Sequence, residues 1–164
     1  SVAIRDILGH MIRNSLDHGI ELPSMRQKLG KQLQGSIKIS LVADTEAIVF
    51  RYTDDGAGLD LFRIREKAAG LGLCPYDETD VAKIVACIFV PGFSTAQSVT
   101  TISGRGVGMD AVLSDLKKFG GQLSWLGHVK ELPAAEQGRV PFAIEISFSS
   151  EFGYELDSDL KLAS

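Results

Sequence analysis

The run Ser103-Gly104-Arg105-Gly106-Val107-Gly108-Met109-Asp110 decides how this chain is interpreted, because three alternating glycines lead directly into a helical pattern. Glycines let the backbone approach a ligand closely and adopt positive φ. The free N–H groups and the positive dipole end of the following helix favour a bound anion, usually phosphate. The same pattern is also typical of a tight turn or of close packing, so this loop alone does not identify a phosphate site.

Two common phosphate-binding loops do not match this run. A dinucleotide-binding fold places its glycines early, directly after a buried parallel strand, whereas the stretch 96–103 before this loop is polar. A Walker loop ends in Gly-Lys-Ser or Gly-Lys-Thr, and here the chain continues Gly108-Met109-Asp110. Both interpretations are therefore excluded.

A second motif, Asp54-Asp55-Gly56-Ala57-Gly58, follows a strand-like run. A carboxylate at this place could accept a hydrogen bond from an exocyclic amine such as the adenine amino group, and the glycines would leave room for a flat base. A plain surface turn explains the composition equally well, because Asp-Gly is favoured in turns for its own reasons.

A third motif lies near the start, where apolar spacing predicts a helix over residues 3–18. His10 and Asn14 are four residues apart and therefore share one face of that helix. An amide oxygen is a hard ligand suited to Mg²⁺, although a solvent-facing Asn and a structural His are the simpler alternatives. We expect Gly19 to end the helix as a left-handed cap.

The order of the remaining elements predicts the fold class. Alternating apolar residues predict strands at 36–42 and 47–53, joined by a hairpin at Asp44-Thr45, and further strands at 122–127 and 142–148. Helices are predicted at 60–70, after Pro75 and after the glycine loop, and residues 24–33 form a short helix or an ordered loop. This interleaving predicts an α/β sandwich in which helices cover a mixed sheet.

Length and composition set wider limits. The chain has 164 residues, which predicts one domain over 1–150 and an acidic tail or linker over 151–164. A net charge of −4 argues against a nucleic-acid partner bound by bulk electrostatics. We find no apolar run of membrane-spanning length and no signal-peptide pattern. Cys74 and Cys87 are expected to be reduced thiols of a cytoplasmic protein. The start at Ser1 suggests a segment of a longer protein.

Taken together, four motifs resemble the ATP-binding domain of chemotaxis-type (CheA-like) sensor histidine kinases. Residues 10–21 resemble the N box of that family, 54–58 its G1 box, 89–95 its F box and 103–110 its G2 box, in the family's order. The similarity covers roughly residues 5–148. Gyrase-, chaperone- and mismatch-repair-type ATPases belong to the same GHKL superfamily. The Asp17-His18-Gly19 ending and the Pro91-Gly92-Phe93-Ser94-Thr95 run favour the chemotaxis branch.

The resemblance implies a two-layer α/β sandwich of the Bergerat type that binds ATP and Mg²⁺. It implies that Asp54 binds the adenine amino group and that Asn14 carries Mg²⁺ to the phosphates. His10, a catalytic and metal-binding candidate, occupies the position where many histidine kinases have a glutamate, and residues 96–103 would form the ATP lid. The ATP-binding candidates are Arg13, Asn14, Asp17, His18, Asp54, Gly56, Gly58, Arg63, Lys67, Phe93, Ser94, Thr95, Ser103, Gly104, Arg105, Gly106, Val107, Gly108 and Met109.

For Arg63 and Lys67 a solvated helix face is nearly as good an explanation. Ala57 departs from the family, which commonly has Arg there, but that side chain need not touch the nucleotide.

The implied reaction is transfer of the γ-phosphoryl group of ATP to a histidine. None of His10, His18 and His128 lies in a four-helix phosphotransfer pattern, so the acceptor is expected on a separate phosphotransfer domain of the same or another chain. A response regulator would act indirectly, and the full-length protein would dimerise through domains that are missing here. Two alternatives stay open: an ATPase whose lid closure drives conformational change, and a non-catalytic nucleotide-binding regulatory module.

Overall fold

The structure is a computed structural model that describes residues 2–43, 45–93, 109–118, 120–127 and 138–149. The described α-helices are α1 (Val2–Asn14), α2 (Pro23–Lys28), α3 (Leu61–Gly70), α4 (Val81–Ala86) and α5 (Met109–Lys118). The described strands are β1 (Ile37–Ala43), β2 (Ala47–Asp54), β3 (Leu59–Asp60), β4 (Gln122–Trp125), β5 (Arg139–Val140) and β6 (Ala143–Ser149). A π-helical turn, Ser15–Gly19, follows α1, and a 3₁₀ turn, Cys87–Phe89, follows α4.

Four of the strands form one sheet in the order β1-β2-β6-β4. Each strand pair of this sheet is antiparallel. In register, Ile39 lies opposite Tyr52, Tyr52 opposite Ile144, and Ile144 opposite Trp125. Because opposed residues project to the same side of a sheet, this row defines the face that the helices cover. The short strands β3 and β5 pair separately and antiparallel.

The main core lies between this face and helices α1 and α5. Alternation along β6 places every second side chain in the core, and helical spacing gives α1 a matching apolar stripe. Phe50 contacts Phe148 and Tyr52 contacts Phe142, both with edge-to-face ring geometry. The buried members of this core are Ile7, Met11, Tyr52, Leu116, Phe142, Ile144, Ile146 and Phe148.

A second core joins α3 and α4. Both helices begin at an aspartate whose side chain accepts backbone N–H groups: Asp60 from Arg63, and Asp80 from Ala82 and Lys83. Such N-caps satisfy donors that the first helical turn leaves free. The buried members of this core are Leu61, Ile64, Ala68, Val81, Ile84, Val85, Cys87, Phe93 and Val140.

The predicted fold class, an α/β sandwich with helices on one face of a sheet, is confirmed. The sheet was predicted to be mixed, whereas every strand pair of it in the described ranges is antiparallel. The β1–β2 hairpin and a helix after Pro75, which is α4, also agree with the predictions. Residues 24–33, left open between helix and loop, include all of helix α2 except its first residue, Pro23. The short β3–β5 pair was not predicted, because two-residue strands carry no periodic signal.

The predicted end of the first helix is wrong in its geometry. Gly19 does not have positive φ, and it is therefore not a left-handed cap. Instead α1 ends at Asn14 and the chain widens into the π-helical turn, which closes with a hydrogen bond from Ile20 N to the Ser15 carbonyl at 2.7 Å. The acidic tail predicted after residue 150 lies outside the described residues.

The covered face of the sheet gives a test of the fold. Ile144 is fully buried in β6, whereas Ile39, on the same face of edge strand β1, is 44% exposed. Ile144→Ala should lower the free energy of unfolding by about 2–5 kcal/mol, because it leaves a cavity in the core. Urea unfolding followed by circular dichroism measures this loss. Ile39→Ala is the matched control and should cost less than about 1 kcal/mol; equal losses at the two positions would contradict the described packing.

Candidate functional site

The π-helical turn brings the end of the first helix against the end of β2. Its closing bond spans five residues instead of four, so the turn is wider than the α-helix before it. Such turns are rare and occur frequently at functional sites. Here the turn places Ser15 and Gly19 beside Asp54, the last residue of β2. The N box and the G1 box therefore meet in space, as the predicted site requires.

The Asp54 carboxylate is held through both of its oxygens. Oδ2 accepts a hydrogen bond from the Ser15 hydroxyl at 2.5 Å, and Oδ1 accepts one from the Gly56 N–H at 2.9 Å. An ionised carboxylate has about four acceptor positions, so roughly two lone pairs remain for a further donor. Asp54 is half-buried, and it can therefore present a fixed acceptor to a ligand.

Tyr52 supports this arrangement from inside the core. Its hydroxyl donates to Ser15 Oγ at 2.8 Å and lies 3.1 Å from the Met11 carbonyl oxygen. The ring is 1% exposed. Burial raises the pKa of the Tyr52 hydroxyl, the hydrogen bond with Ser15 offsets part of this, and the nearby Asp54 charge adds to it. Tyr52, Ser15 and Asp54 thus form a chain of hydrogen bonds from the core to the site.

The glycines of the G1 box are required by backbone packing. A Cβ on Gly56 would lie 2.2 Å from the Gly19 carbonyl oxygen, which accepts a hydrogen bond from the Ala57 N–H at 2.8 Å. Gly58 has a φ of +69°, and a Cβ there would lie 2.2 Å from the Val140 carbonyl oxygen. The sequence predicted that these glycines leave room for a base, whereas their clear structural role is close contact with Gly19 and Val140.

The other N-box candidates lie along one stretch of chain. His10 and Asn14 are half-buried and occupy adjacent turns of one face of α1. Arg13, Asp17 and His18 are exposed. Asn14 directly precedes Ser15, the residue whose hydroxyl holds the Asp54 carboxylate. No structural finding assigns a ligand to any of these five residues, and their binding roles stay predictions.

The basic candidates of α3 lie on its exposed side. Arg63 and Lys67 are both exposed and four residues apart. The Lys67 ammonium lies 5.9 Å from the centroid of the Phe93 ring, within the range of a cation–π contact. Phe93 itself is 5% exposed and packs in the second core. The structure therefore brings one basic candidate to the F box.

Part of the predicted site lies outside the described residues: Ser94, Thr95, Ser103, Gly104, Arg105, Gly106, Val107 and Gly108. Helix α5 begins at Met109, directly after the last glycine of the G2 box. The predicted helix after the glycine loop is confirmed. The binding roles of the glycine-loop residues and of Met109 stay predictions.

A charged cluster behind the G1 box was not predicted from the sequence. Arg26 is 1% exposed and contacts Glu21 Oε2 at 3.1 Å and Asp55 Oδ2 at 2.8 Å. Lys31 contacts Glu21 Oε1 at 2.6 Å and the carbonyl oxygens of Asp55 and Gly56. No local pattern marks Arg26 as buried, because its ion-pair partners Glu21 and Asp55 lie 5 and 29 positions away.

Within the described ranges, no group of three or more His, Cys, Asp or Glu side chains could hold a metal ion. None of the helices in those ranges combines the length and apolar character needed to cross a bilayer.

The fold and the ordered motifs fall within one known family of ATPase-type domains. Residues 1–150 match the sequence profile of the family described as histidine kinase-, DNA gyrase B- and HSP90-like ATPase. Because this match covers most of the chain, the chain belongs to that family.

Individual relatives show which branch of this family the chain is similar to. The chain is 44% identical over 120 residues to the chemotaxis protein CheA of Salmonella typhimurium, a match that covers 73% of this chain and 18% of that protein. It is 42% identical over 124 residues to the chemotaxis protein CheA of Bacillus subtilis, covering 74% and 18%. It is 41% identical over 123 residues to a gliding motility regulatory protein of Myxococcus xanthus, covering 73% and 16%. The resemblance to CheA-like kinases is confirmed, and the chain spans less than a fifth of these relatives.

The hydrogen bonds behind Asp54 predict a pH dependence. The folded pKa of Tyr52 is raised, so its contribution to stability is complete below its ordinary pKa of about 10 and is lost as pH rises through the folded pKa. Tyr52→Phe should cost about 1 kcal/mol at neutral pH through the lost hydrogen bond. The difference between wild type and variant should then shrink as pH rises above the ordinary tyrosine pKa of about 10.

Urea unfolding at several pH values measures this difference. Tyr76→Phe is the matched control, because Tyr76 is 69% exposed and the variant should keep the stability of wild type. A gap between wild type and Tyr52→Phe that stays constant with pH would contradict the buried position of the Tyr52 hydroxyl.

Proposed function

We propose that this chain is the ATP-binding catalytic domain of a two-component histidine kinase, which transfers the γ-phosphoryl group of ATP to a histidine on a separate phosphotransfer domain. The observation that carries the proposal is the Asp54 carboxylate. It is held by the Ser15 hydroxyl and the Gly56 N–H, and it keeps lone pairs for a ligand. The family match and the CheA relatives support the same function.

The adenine end of ATP is assigned to Asp54. A fixed, half-buried carboxylate recognises a donor such as the 6-amino group of adenine and disfavours an acceptor at the same place. Hydrogen bonds to a charged group contribute about 1.5–3 kcal/mol. This contact would therefore supply both affinity and base selectivity.

The phosphate end is assigned to Asn14 and to the predicted basic and glycine positions. Asn14 offers an amide oxygen, the type of hard ligand that Mg²⁺ accepts while phosphates and water complete its coordination. His10, one turn earlier on α1, is the second candidate ligand. When bound, Mg²⁺ would neutralise phosphate charge. Arg63 and Lys67 would attract the phosphates, and the G2 box and the lid over 96–103 would enclose them.

The chemistry asked of this domain is mainly positioning and charge stabilisation, as phosphoryl transfer generally requires. The bond between the γ-phosphorus and the bridging oxygen breaks, ADP leaves, and a bond forms to an imidazole nitrogen of the acceptor. His10 is placed on the same helix face as Asn14, where it could orient that imidazole or accept its proton.

The domain would act together with other domains and proteins of a signalling system. The acceptor histidine would lie on the same or another chain, a response regulator would receive the phosphoryl group afterwards, and the full-length protein would dimerise through other domains. Free Cys74 and Cys87 thiols are typical of the cytoplasm, and we assign the domain to it.

Binding of Mg²⁺ with a non-hydrolysable ATP analogue tests the proposal. Asp54→Ala should weaken binding roughly 10- to 100-fold, because it removes a hydrogen bond to a charged group. Asn14→Ala should weaken binding only when Mg²⁺ is present, because its role is to carry the ion. Asp77→Ala changes an exposed aspartate and serves as the control. Unchanged affinity in both site variants would show that the site is wrongly assigned.

Asn14 also provides its own probe, because it is the one asparagine in the sequence. Selective ¹⁵N labelling of asparagine gives a single side-chain amide signal, which should shift on adding the analogue with Mg²⁺. Supplying a histidine phosphotransfer domain with ATP should then yield acid-labile phosphate on that domain. Steady ATP hydrolysis without any phosphohistidine would instead indicate an ATPase.

A further inference from the structure

Lys31, which follows α2, uses all of its hydrogen-bonding capacity on protein acceptors. An ammonium group has three N–H donors. Its Nζ lies 2.6 Å from Glu21 Oε1, 3.0 Å from the Asp55 carbonyl oxygen and 2.8 Å from the Gly56 carbonyl oxygen. With three acceptors at these distances, Lys31 has no donor left for a phosphate, and it therefore acts on the protein instead of on the ligand.

These acceptors belong to the two chain segments that hold Asp54. Glu21 comes shortly after the π-helical turn, which contributes Ser15 to Asp54 Oδ2. The carbonyls of Asp55 and Gly56 come directly after Asp54, and Gly56 also donates its N–H to Asp54 Oδ1. Lys31 thus ties the segment that binds one carboxylate oxygen to the segment that binds the other.

Arg26 stabilises the same junction from inside. Its guanidinium contacts Glu21, Asp55 and the carbonyl oxygens of Gln32, Gln34 and Asp55. Because Arg26 is 1% exposed while the Lys31 side chain is 32% exposed, loss of Arg26 would leave buried partners unpaired. Loss of Lys31 leaves groups that water can reach, and this makes Lys31 the residue whose effect on the site can be separated from folding.

Both carboxylates of this cluster stay charged at neutral pH. Burial raises the pKa of Glu21, but the hydrogen bond from Lys31 and the two nearby cations outweigh it and hold that pKa below its ordinary value. The Ser36 N–H lowers the pKa of Asp55, burial opposes this, and Arg26 lowers it further. The contacts of Lys31 with Glu21 are therefore charge-assisted hydrogen bonds, which are stronger than neutral ones.

We propose that Lys31 is a positioning residue that sets the base selectivity of the nucleotide site, by fixing the Asp54–Gly56 turn against the Ser15–Glu21 segment. The inference rests on the proposed function, in which Asp54 receives the 6-amino group of adenine. Guanine carries an oxygen acceptor at that position, so a rigid carboxylate rejects it. Without Lys31, the Asp54–Gly56 turn is free to shift and the Asp54 carboxylate can rotate away. The preference for adenine over guanine then falls, whereas contacts to the phosphates are unaffected.

The test compares two nucleotides on the full 164-residue chain. Calorimetric titration with the imido analogues of ATP and GTP, each with Mg²⁺, gives the ratio of their dissociation constants. Lys31→Met keeps the apolar stem and removes the three donors; it should lower the preference for adenine by about fivefold or more, the equivalent of one net hydrogen bond. Lys28→Met changes an exposed lysine at the end of α2 and should keep the wild-type ratio.

The possible results distinguish a failure of this inference from a failure of the proposed function. If wild type prefers adenine and Lys31→Met keeps the same preference, this inference alone is overturned. A lower melting temperature of the variant would not change that, because a purely structural role alters stability without altering the ratio of the two dissociation constants. A wild-type chain that binds neither nucleotide would overturn the proposed function and this inference with it. If Lys31→Met does not fold, Lys31→Gln, which removes the charge and one of the three N–H donors, should lower the preference for adenine by a smaller factor, and an unchanged ratio would again overturn the inference.

Discussion

The Asp54 carboxylate at the end of β2 accepts one hydrogen bond from the π-helical turn and one from its own G1 turn. The remaining geometry of the site depends on this junction between the two turns. The Gly19 carbonyl accepts the Ala57 N–H across it, at a distance that only a glycine at position 56 permits. Tyr52 connects the junction to the main core. A ligand that binds at Asp54 would therefore meet a carboxylate that is already fixed, which would reduce the ordering cost of binding.

Much of the fold could be predicted because its signals are local. Alternation predicted β1, β2 and β6, and the N-cap at Asp80 follows from residue type near the start of an apolar period. The order of the four motifs predicted the family, which the sequence-profile match confirms, whereas the binding roles of the site residues stay predictions. Single motifs were weaker: the glycine loop alone fitted several explanations, and only its place after the N and G1 boxes made it informative.

What could not be predicted depends on contacts between distant residues. Ser15 and Asp54 are 39 positions apart, and no local pattern shows that a serine after Asn14 holds that carboxylate. Residues 24–33 were predicted only as a short helix or an ordered loop, yet Arg26 is buried there by partners up to 29 positions away. The π-helical turn was missed for a similar reason, since Gly19 was interpreted from residue type alone, whereas its conformation follows from contact with the G1 turn.

The central claim is that Asp54 recognises the amino group of adenine. It is tested most directly by comparing ATP with purine riboside triphosphate, which lacks that amino group, in wild type and in Asp54→Ala. Wild type should prefer ATP by roughly tenfold or more, the value of a hydrogen bond to a charged group, and Asp54→Ala should bind both nucleotides equally. A preference for ATP that is the same in wild type and Asp54→Ala would contradict the claim.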